Sequence, residues 1–140
     1  MTRYWLFKSE PKVFSIDDLA RRPHKTAPWD GVRNYQVRNM LRDEIKVGDL
    51  VFFYHSNANP PGIVGLMKVV KAGYPEPNQD RPVWFQVDVE WQKKFSSMIT
   101  LDEIKQNPLL QTMLVAKRGN RLSITPVSSE ESKAILKMSA

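Results

Sequence analysis

The chain contains no cysteine, which excludes disulfides, thiolate nucleophiles and cysteine-built zinc sites. Histidine is almost as scarce. His24 and His55 are the only two, and their separation matches no histidine-based metal spacing. No apolar run approaches the roughly 18 residues of a membrane span. Met1–Phe7 gives way at once to the polar Lys8-Ser9-Glu10, so a signal-peptide core is not expected. The strings G-x-x-x-x-G-K-[ST], G-x-G-x-x-G and G-x-S-x-G are missing as well. Ser9-Glu10-Pro11-Lys12 matches S-x-x-K but lacks the S-D-N and K-T-G partners that give that string its chemistry. Internal repeats and low-complexity stretches are also wanting. These absences point away from metal, cofactor and membrane partners. They lead to the expectation of a soluble, intracellular protein of the cytoplasm that is not an enzyme.

What is present suits one domain, 1–140, built on a single core. Lys and Arg number 21 against 15 Asp and Glu, for a formal net charge of +6. That balance favours a polyanionic partner, nucleic acid first and an acidic membrane surface second.

Arg3–Phe7 reads as a strand stopped by Pro11, and Ser15 as the N-cap of a short helix. A loop through Pro23 and Pro28 leads to Trp29. Asn34 caps a helix from about Tyr35 to Arg42, with Val37, Met40 and Leu41 toward the core. Leu50–Ser56 has no polar alternation and reads as a strand buried on both faces. Ile63–Ala72 is the next strand, where Gly65 marks a bulge or a close backbone approach. Tyr74–Pro82 is a surface loop. From Trp84 to Trp91 the residues alternate, placing Phe85, Val87, Val89 and Trp91 inward and Gln86, Asp88 and Glu90 outward. Thr100 with Glu103 and Ser128 with Glu131 are capping boxes. Asn107-Pro108 opens a further helical turn, Leu122–Thr125 is a strand, and the last helix buries Ala134, Ile135 and Met138. Strands separated by loops and short helices predict an α+β fold, in the form of a compact barrel with helices at its ends.

The stretch from Trp29 to Arg42 carries the most chemistry. A helix start has free N–H groups and suits an anion. A tryptophan beside it offers a flat face to a base, or is simply a packed core aromatic. Arg33, Arg38 and Arg42 are either phosphate contacts or a solvated helix face. Tyr54-His55-Ser56-Asn57 ends the buried strand. His55 there is either a hydrogen-bonded histidine at the core's rim or, with Ser56, the polar wall of a pocket. His55 and Ser56 are sequence neighbours, so on a strand they point apart and do not make a nucleophile pair. Ser9 is a turn serine or a pocket residue. Arg121 and Ser123, ahead of Pro126, are a strand-start charge and an alternating serine, or a phosphate contact and a pocket floor.

Four blocks resemble the EVE domain family: Tyr4-Trp5-Leu6-Phe7-Lys8-Ser9-Glu10-Pro11, Trp29-Asp30-Gly31-Val32-Arg33-Asn34-Tyr35-Gln36, Phe53-Tyr54-His55-Ser56-Asn57, and Arg121-Leu122-Ser123 ahead of Pro126. They occur in the family's order across nearly the whole chain. The resemblance implies a PUA-like fold, a small β-barrel flanked by short helices and related to the YTH readers of methylated RNA. It also implies a non-enzymatic module that reads a modified base in DNA or RNA. By block position Trp29 is the expected pocket wall. Ser9, Asn34, His55 and Ser56 are the polar lining, and Arg121 and Ser123 the far rim. Val32 and Tyr35 join the expected pocket, and Lys8, Arg33, Arg38, Arg42 and Arg121 the expected phosphate contacts. The YTH cage uses more than one aromatic. Here either Tyr35 or Tyr54 supplies the second ring, or the pocket suits a modified pyrimidine rather than a methylated adenine. Two other classes stay open: an enzyme acting on a modified base or nucleoside, with His55 or Glu10 as general acid–base, and a protein-interaction module.

Overall fold

The structure, a computed structural model, describes residues 2–139. Strands β1 (Tyr4–Ser9), β2 (Thr26–Trp29), β3 (Leu50–His55), β4 (Gly62–Pro75), β5 (Phe85–Thr100) and β6 (Ile124–Val127) alternate with helices α1 (Ile16–Ala20), α2 (Tyr35–Asn39), α3 (Leu101–Gln106) and α4 (Ser129–Met138). The strands form one sheet in the order β2-β5-β4-β3-β1-β6. β1 and β3 run parallel, with Trp5 opposite Val51 and Phe7 opposite Phe53. The other four pairings are antiparallel.

The mixed α+β composition is as expected, but the sheet does not close into a barrel. Among the described residues β2 and β6 are its end strands and do not pair with each other. Both are four residues long, and each carries a proline, Pro28 and Pro126. A proline cannot donate to a ladder and is confined to edge strands. Pro28 also explains why β2 reads as a loop from sequence.

β1 and β3 lie mid-sheet and bury both faces, so the expected single core is in fact two clusters. Trp5, Phe7, Val51 and Phe53 point to one, with Trp29, Val37, Leu41 and Ile124. Leu6, Phe52 and Tyr54 point to the other, with Ile63, Ile104, Leu110 and Ile135. Asp49 pins the start of these two strands. Its buried carboxylate accepts hydrogen bonds from Trp5 Nε1 at 3.0 Å, Lys46 N at 2.9 Å and Arg3 N at 3.3 Å.

β4 and β5 are 14 and 16 residues long, and their register shifts at several points. Each bulge bends the pair and resets which side chains face inward. This is why Gln86, expected outward, is buried and donates from Nε2 to the Tyr74 hydroxyl at 2.7 Å. Phe85 and Trp91 are only half-buried. Gly65 sits at one shift, where a Cβ would lie 2.0 Å from Ile16 Cδ1 and 2.3 Å from the Lys93 carbonyl oxygen.

The helix starts follow their local chemistry. Ser15, Thr100 and Ser128 each accept from the backbone three residues on, while Asp18, Glu103 and Glu131 return the bond. Asn34 caps α2 through Val37 N at 3.0 Å. The α-helical part of α2 ends at Asn39 and passes into a wider π turn, Met40–Glu44. Val37, Met40 and Leu41 are buried there as expected, whereas Met138 of α4 is only partly buried.

Candidate nucleic-acid interface

Trp29 ends β2 and is 8% exposed. Phe7, Phe53 and Phe14 surround it at centroid distances of 5.2, 5.4 and 6.2 Å, all tilted or edge-on. These are favoured aromatic geometries, so the indole is a core residue on most of its surface. Its remaining surface helps line a cleft of about 360 Å³, together with Lys8, Ser9, Phe14, Arg22, Pro28 and Asp30. That size falls in the roughly 300–1,000 Å³ range of small-molecule sites.

The strand end of β1 supplies Lys8 and Ser9. The Ser9 hydroxyl donates to the Phe14 carbonyl at 2.7 Å, which ties the segment bearing Phe14 to the strand. Partial burial pushes the Lys8 ammonium below its usual range. An ammonium so placed gains from an acceptor or anion in the cleft. Arg22 lies over the Phe14 ring, its guanidinium carbon 5.3 Å from the centroid.

Of the residues expected at the pocket, Ser9 and Trp29 share this cleft, and Lys8, expected as a phosphate contact, lines it with them. Ser56 and Ser123 approach it only through backbone. Ser56 N donates to the Ser9 carbonyl at 3.0 Å, and the Ser123 carbonyl accepts from Lys8 N at 2.8 Å. Arg121 is exposed ahead of β6. Val32 is packed in the core cluster, and the side chain of Asn34 is occupied as the cap of α2.

His55 faces elsewhere, into a separate cleft of about 270 Å³ lined by Ile16, Asp17, Val64, Lys94 and Ser96 among others. Its Nε2 accepts from Ile16 N at 3.2 Å. Burial pushes the imidazole below its usual value, helped by Lys94 and opposed by Asp17 and Asp18. An unprotonated Nε2 is the form that can accept that bond.

Neither tyrosine considered for the second ring lines the Trp29 cleft. Tyr54 is buried in the other cluster, where desolvation pushes its phenol up to about 12. Tyr35 is 61% exposed and stacks on Trp84 at 5.0 Å. The aromatic that accompanies Trp29 is Phe14, which sequence reasoning passed over. A signal for it existed: Phe14 immediately precedes the N-cap Ser15, the position of a hydrophobic staple.

The anion-friendly corner after Trp29 exists, but an internal carboxylate fills it. Gly31 has φ 77°, which favours glycine. Gly31 N and both terminal nitrogens of Arg33 donate to Glu76, at 3.1, 3.0 and 3.0 Å. The bidentate guanidinium holds the Glu76 carboxyl below the usual carboxylate range. Arg38 donates to the Val83 carbonyl at 2.7 Å, and Arg42 pairs with Asp43 at 2.8 Å. Arg33 also lies 5.0 Å from the Trp84 centroid and Arg38 5.2 Å from that of Tyr35. The three arginines therefore already have internal partners; Arg38 fastens the 76–84 loop to α2, and Arg33 fastens it to the turn before that helix.

Among the described residues no helix is long and apolar enough to cross a membrane, and no group of three or more His, Asp or Glu could hold a metal ion.

An α+β sheet with a mixed aromatic and cationic cleft beside a short proline-bearing edge strand is the frame in which the relatives belong. The chain belongs to the EVE domain family, whose model matches residues 3–138. Thymocyte nuclear protein 1 of Mus musculus is 41% identical over 170 residues, spanning 99% of this chain and 74% of that protein. A crystal structure of a protein from Pseudomonas syringae superposes with a TM-score of 0.91 at 40% identity, covering 98% of this chain and 99% of that one. A crystal structure of human THYN1 protein in complex with 5-methylcytosine containing DNA superposes with a TM-score of 0.87 at 40% identity, covering 99% and 98%.

Proposed function

We propose that this protein is a non-enzymatic reader of a modified base in nucleic acid, with 5-methylcytosine in DNA as its first ligand. The observation that carries the reading is the cleft in which Trp29 and Phe14 meet Lys8, Ser9, Arg22 and Asp30. The relative solved with 5-methylcytosine containing DNA shares 40% of the sequence across almost the whole chain.

The chemistry of the cleft is consistent with that ligand. A base must leave its stack to enter, at a cost of a few kcal/mol. Contact with an aromatic face returns about 1–3 kcal/mol. The carboxylate of Asp30 suits the exocyclic amino group of cytosine. The ammonium of Lys8 offers a donor to the ring nitrogen or carbonyl oxygen of the base, and a Ser9 lone pair can accept from its amino group. One methyl in an apolar slot adds about 0.8 kcal/mol, roughly fourfold in affinity. Larger discrimination requires these polar groups to reject the wrong edge. The remaining expected residues enter as supports: Val32 and Asn34 hold the chain after Trp29, and Ser56 and Ser123 hold the ends of Lys8 and Ser9. RNA carrying a modified base is the second partner. An intracellular site of action, in the nucleus or cytoplasm, follows from a nucleic-acid ligand. The PUA-like family frame is retained in this reading, with the sheet open rather than barrel-closed.

The test is fluorescence anisotropy with matched duplexes carrying one 5-methylcytosine or one cytosine. The wild type binds the methylated duplex at least about fourfold more tightly, and Phe14→Ala weakens that binding about fivefold or more. Equal affinity for the two duplexes, with Phe14→Ala unchanged, overturns the reading. Turnover of a modified nucleoside that disappears in His55→Ala would move the protein to the enzyme class instead.

A further inference from the structure

We infer that the turn from Arg22 to Lys25 is the strip that grips the phosphodiester backbone of the nucleic acid beside the base cleft. The inference rests on the reading of the cleft as a base site. It stands on three features of the turn itself.

The first is position. Arg22 lines the cleft, and the chain runs from it through Pro23–Lys25 directly into β2, whose Pro28 and Trp29 form the cleft wall. A nucleotide whose base enters the cleft leaves its sugar and phosphates at this rim.

The second is the state of the cations. Arg21 is paired with Asp18 and Lys94 with Asp17, while Arg33, Arg38 and Arg42 have the internal partners described above. Arg22 and Lys25 are exposed and have no carboxylate within ion-pair distance among the described residues. Each instead lies over an aromatic ring: Arg22 over Phe14 at 5.3 Å and the Lys25 ammonium over Trp91 at 4.6 Å. The rings order two long side chains before an anion arrives and leave their charges unneutralised. Pre-ordering of that kind lowers the entropy lost on binding.

The third is the backbone. His24 and Lys25 are consecutive non-glycine residues with φ 55° and 53°, a region that β-carbon-bearing residues visit rarely. Lys25 N donates to the Arg22 carbonyl at 2.8 Å, and the Thr26 hydroxyl donates to the His24 carbonyl at 2.9 Å. The turn is thus held in a strained shape that glycine or asparagine would adopt more easily, yet it carries a lysine over Trp91. Strain maintained by surrounding contacts clusters at ligand clamps.

The experiment measures the affinity of the full chain for a 5-methylcytosine duplex against sodium chloride concentration, with the unmethylated duplex alongside. Each phosphate contact contributes about 0.9 to the slope of log affinity against log salt, so Arg22→Gln with Lys25→Gln reduces the slope by about 1.8. Lys25→Arg retains the wild-type slope, and so does Arg42→Gln, since that guanidinium is already paired. A double variant with the wild-type slope overturns the inference. The two readings separate cleanly. A reduced slope with no methyl preference keeps the backbone strip and sinks the modified-base reading. A methyl preference with an unchanged slope does the reverse. Wild-type binding no stronger than that of a protein of equal charge overturns both.

Discussion

Asp49 offers a quantitative test of how the fold holds the strand that bears Lys8 and Ser9. Its carboxylate is 3% exposed and meets three donors: Trp5 Nε1, Lys46 N and Arg3 N. Asp49→Ala leaves all three without it. The bonds from the exposed residues Lys46 and Arg3 are only partly buried, so they add less. The indole of Trp5 is fully buried, and an orphaned buried donor costs roughly 1–3 kcal/mol. We take about 2–3 kcal/mol for the whole change, a large part of the 5–15 kcal/mol typical of a domain. At roughly 2–4 °C per kcal/mol this lowers Tm by about 5–10 °C. The assay is thermal and urea unfolding of the wild type, Asp49→Ala, Trp5→Phe and the double variant. Trp5→Phe removes the donor that Asp49→Ala orphans. The double variant is therefore less destabilised than the sum of the singles, by about 1–2 kcal/mol. Additive effects within about 0.3 kcal/mol, or a Tm change below about 2 °C, refute the reasoning.

Two further outcomes follow from the packing around α1. Gly65→Ala places a methyl against Ile16 and the Lys93 carbonyl, and overpacking of this kind costs about 1–3 kcal/mol by urea denaturation; a loss below about 0.5 kcal/mol contradicts the close approach. His55 has a folded value below its usual 6.5, so near that pH the folded state binds fewer protons than the unfolded one. Its contribution to stability is complete above pH 6.5 and is lost as the pH falls through the lowered folded value. Unfolding midpoints across about pH 5 to 8 show this acid loss in the wild type and less of it in His55→Gln, whose amide oxygen can still accept from Ile16. An identical pH profile in the variant rejects the assignment to His55.

What could be read from the sequence was mostly local. Ser15, Asn34, Thr100 and Ser128 cap helices because the bonds they make lie within three residues. The two-faced burial of Val51–Tyr54 was legible because an uninterrupted apolar run has no solvent side. The unread features are set by distant pairings. β2 was hidden by Pro28, and its strand character comes only from β5. The inward turn of Gln86 comes from register shifts between β4 and β5, which a strict two-residue alternation cannot anticipate. The corner after Trp29 was read as a place for an anion, and the carboxylate that Gly31 N and Arg33 hold there belongs to Glu76 in a loop far along the chain. Within the candidate site, Trp29 and Ser9 were read as one pocket and Lys8 as a phosphate contact beside it, while Phe14, Arg22 and Asp30 join them only through the fold.

In the proposed reader, the cleft between Trp29 and Phe14 receives a base. A crystal structure of this protein bound to a duplex with a single 5-methylcytosine tests it most directly. The expected complex has the methylated base out of its stack, against the Phe14 and Trp29 rings, between Ser9 and Asp30. A methylated base still paired within the duplex, or one seated in the separate cleft beside His55 and Lys94, contradicts it.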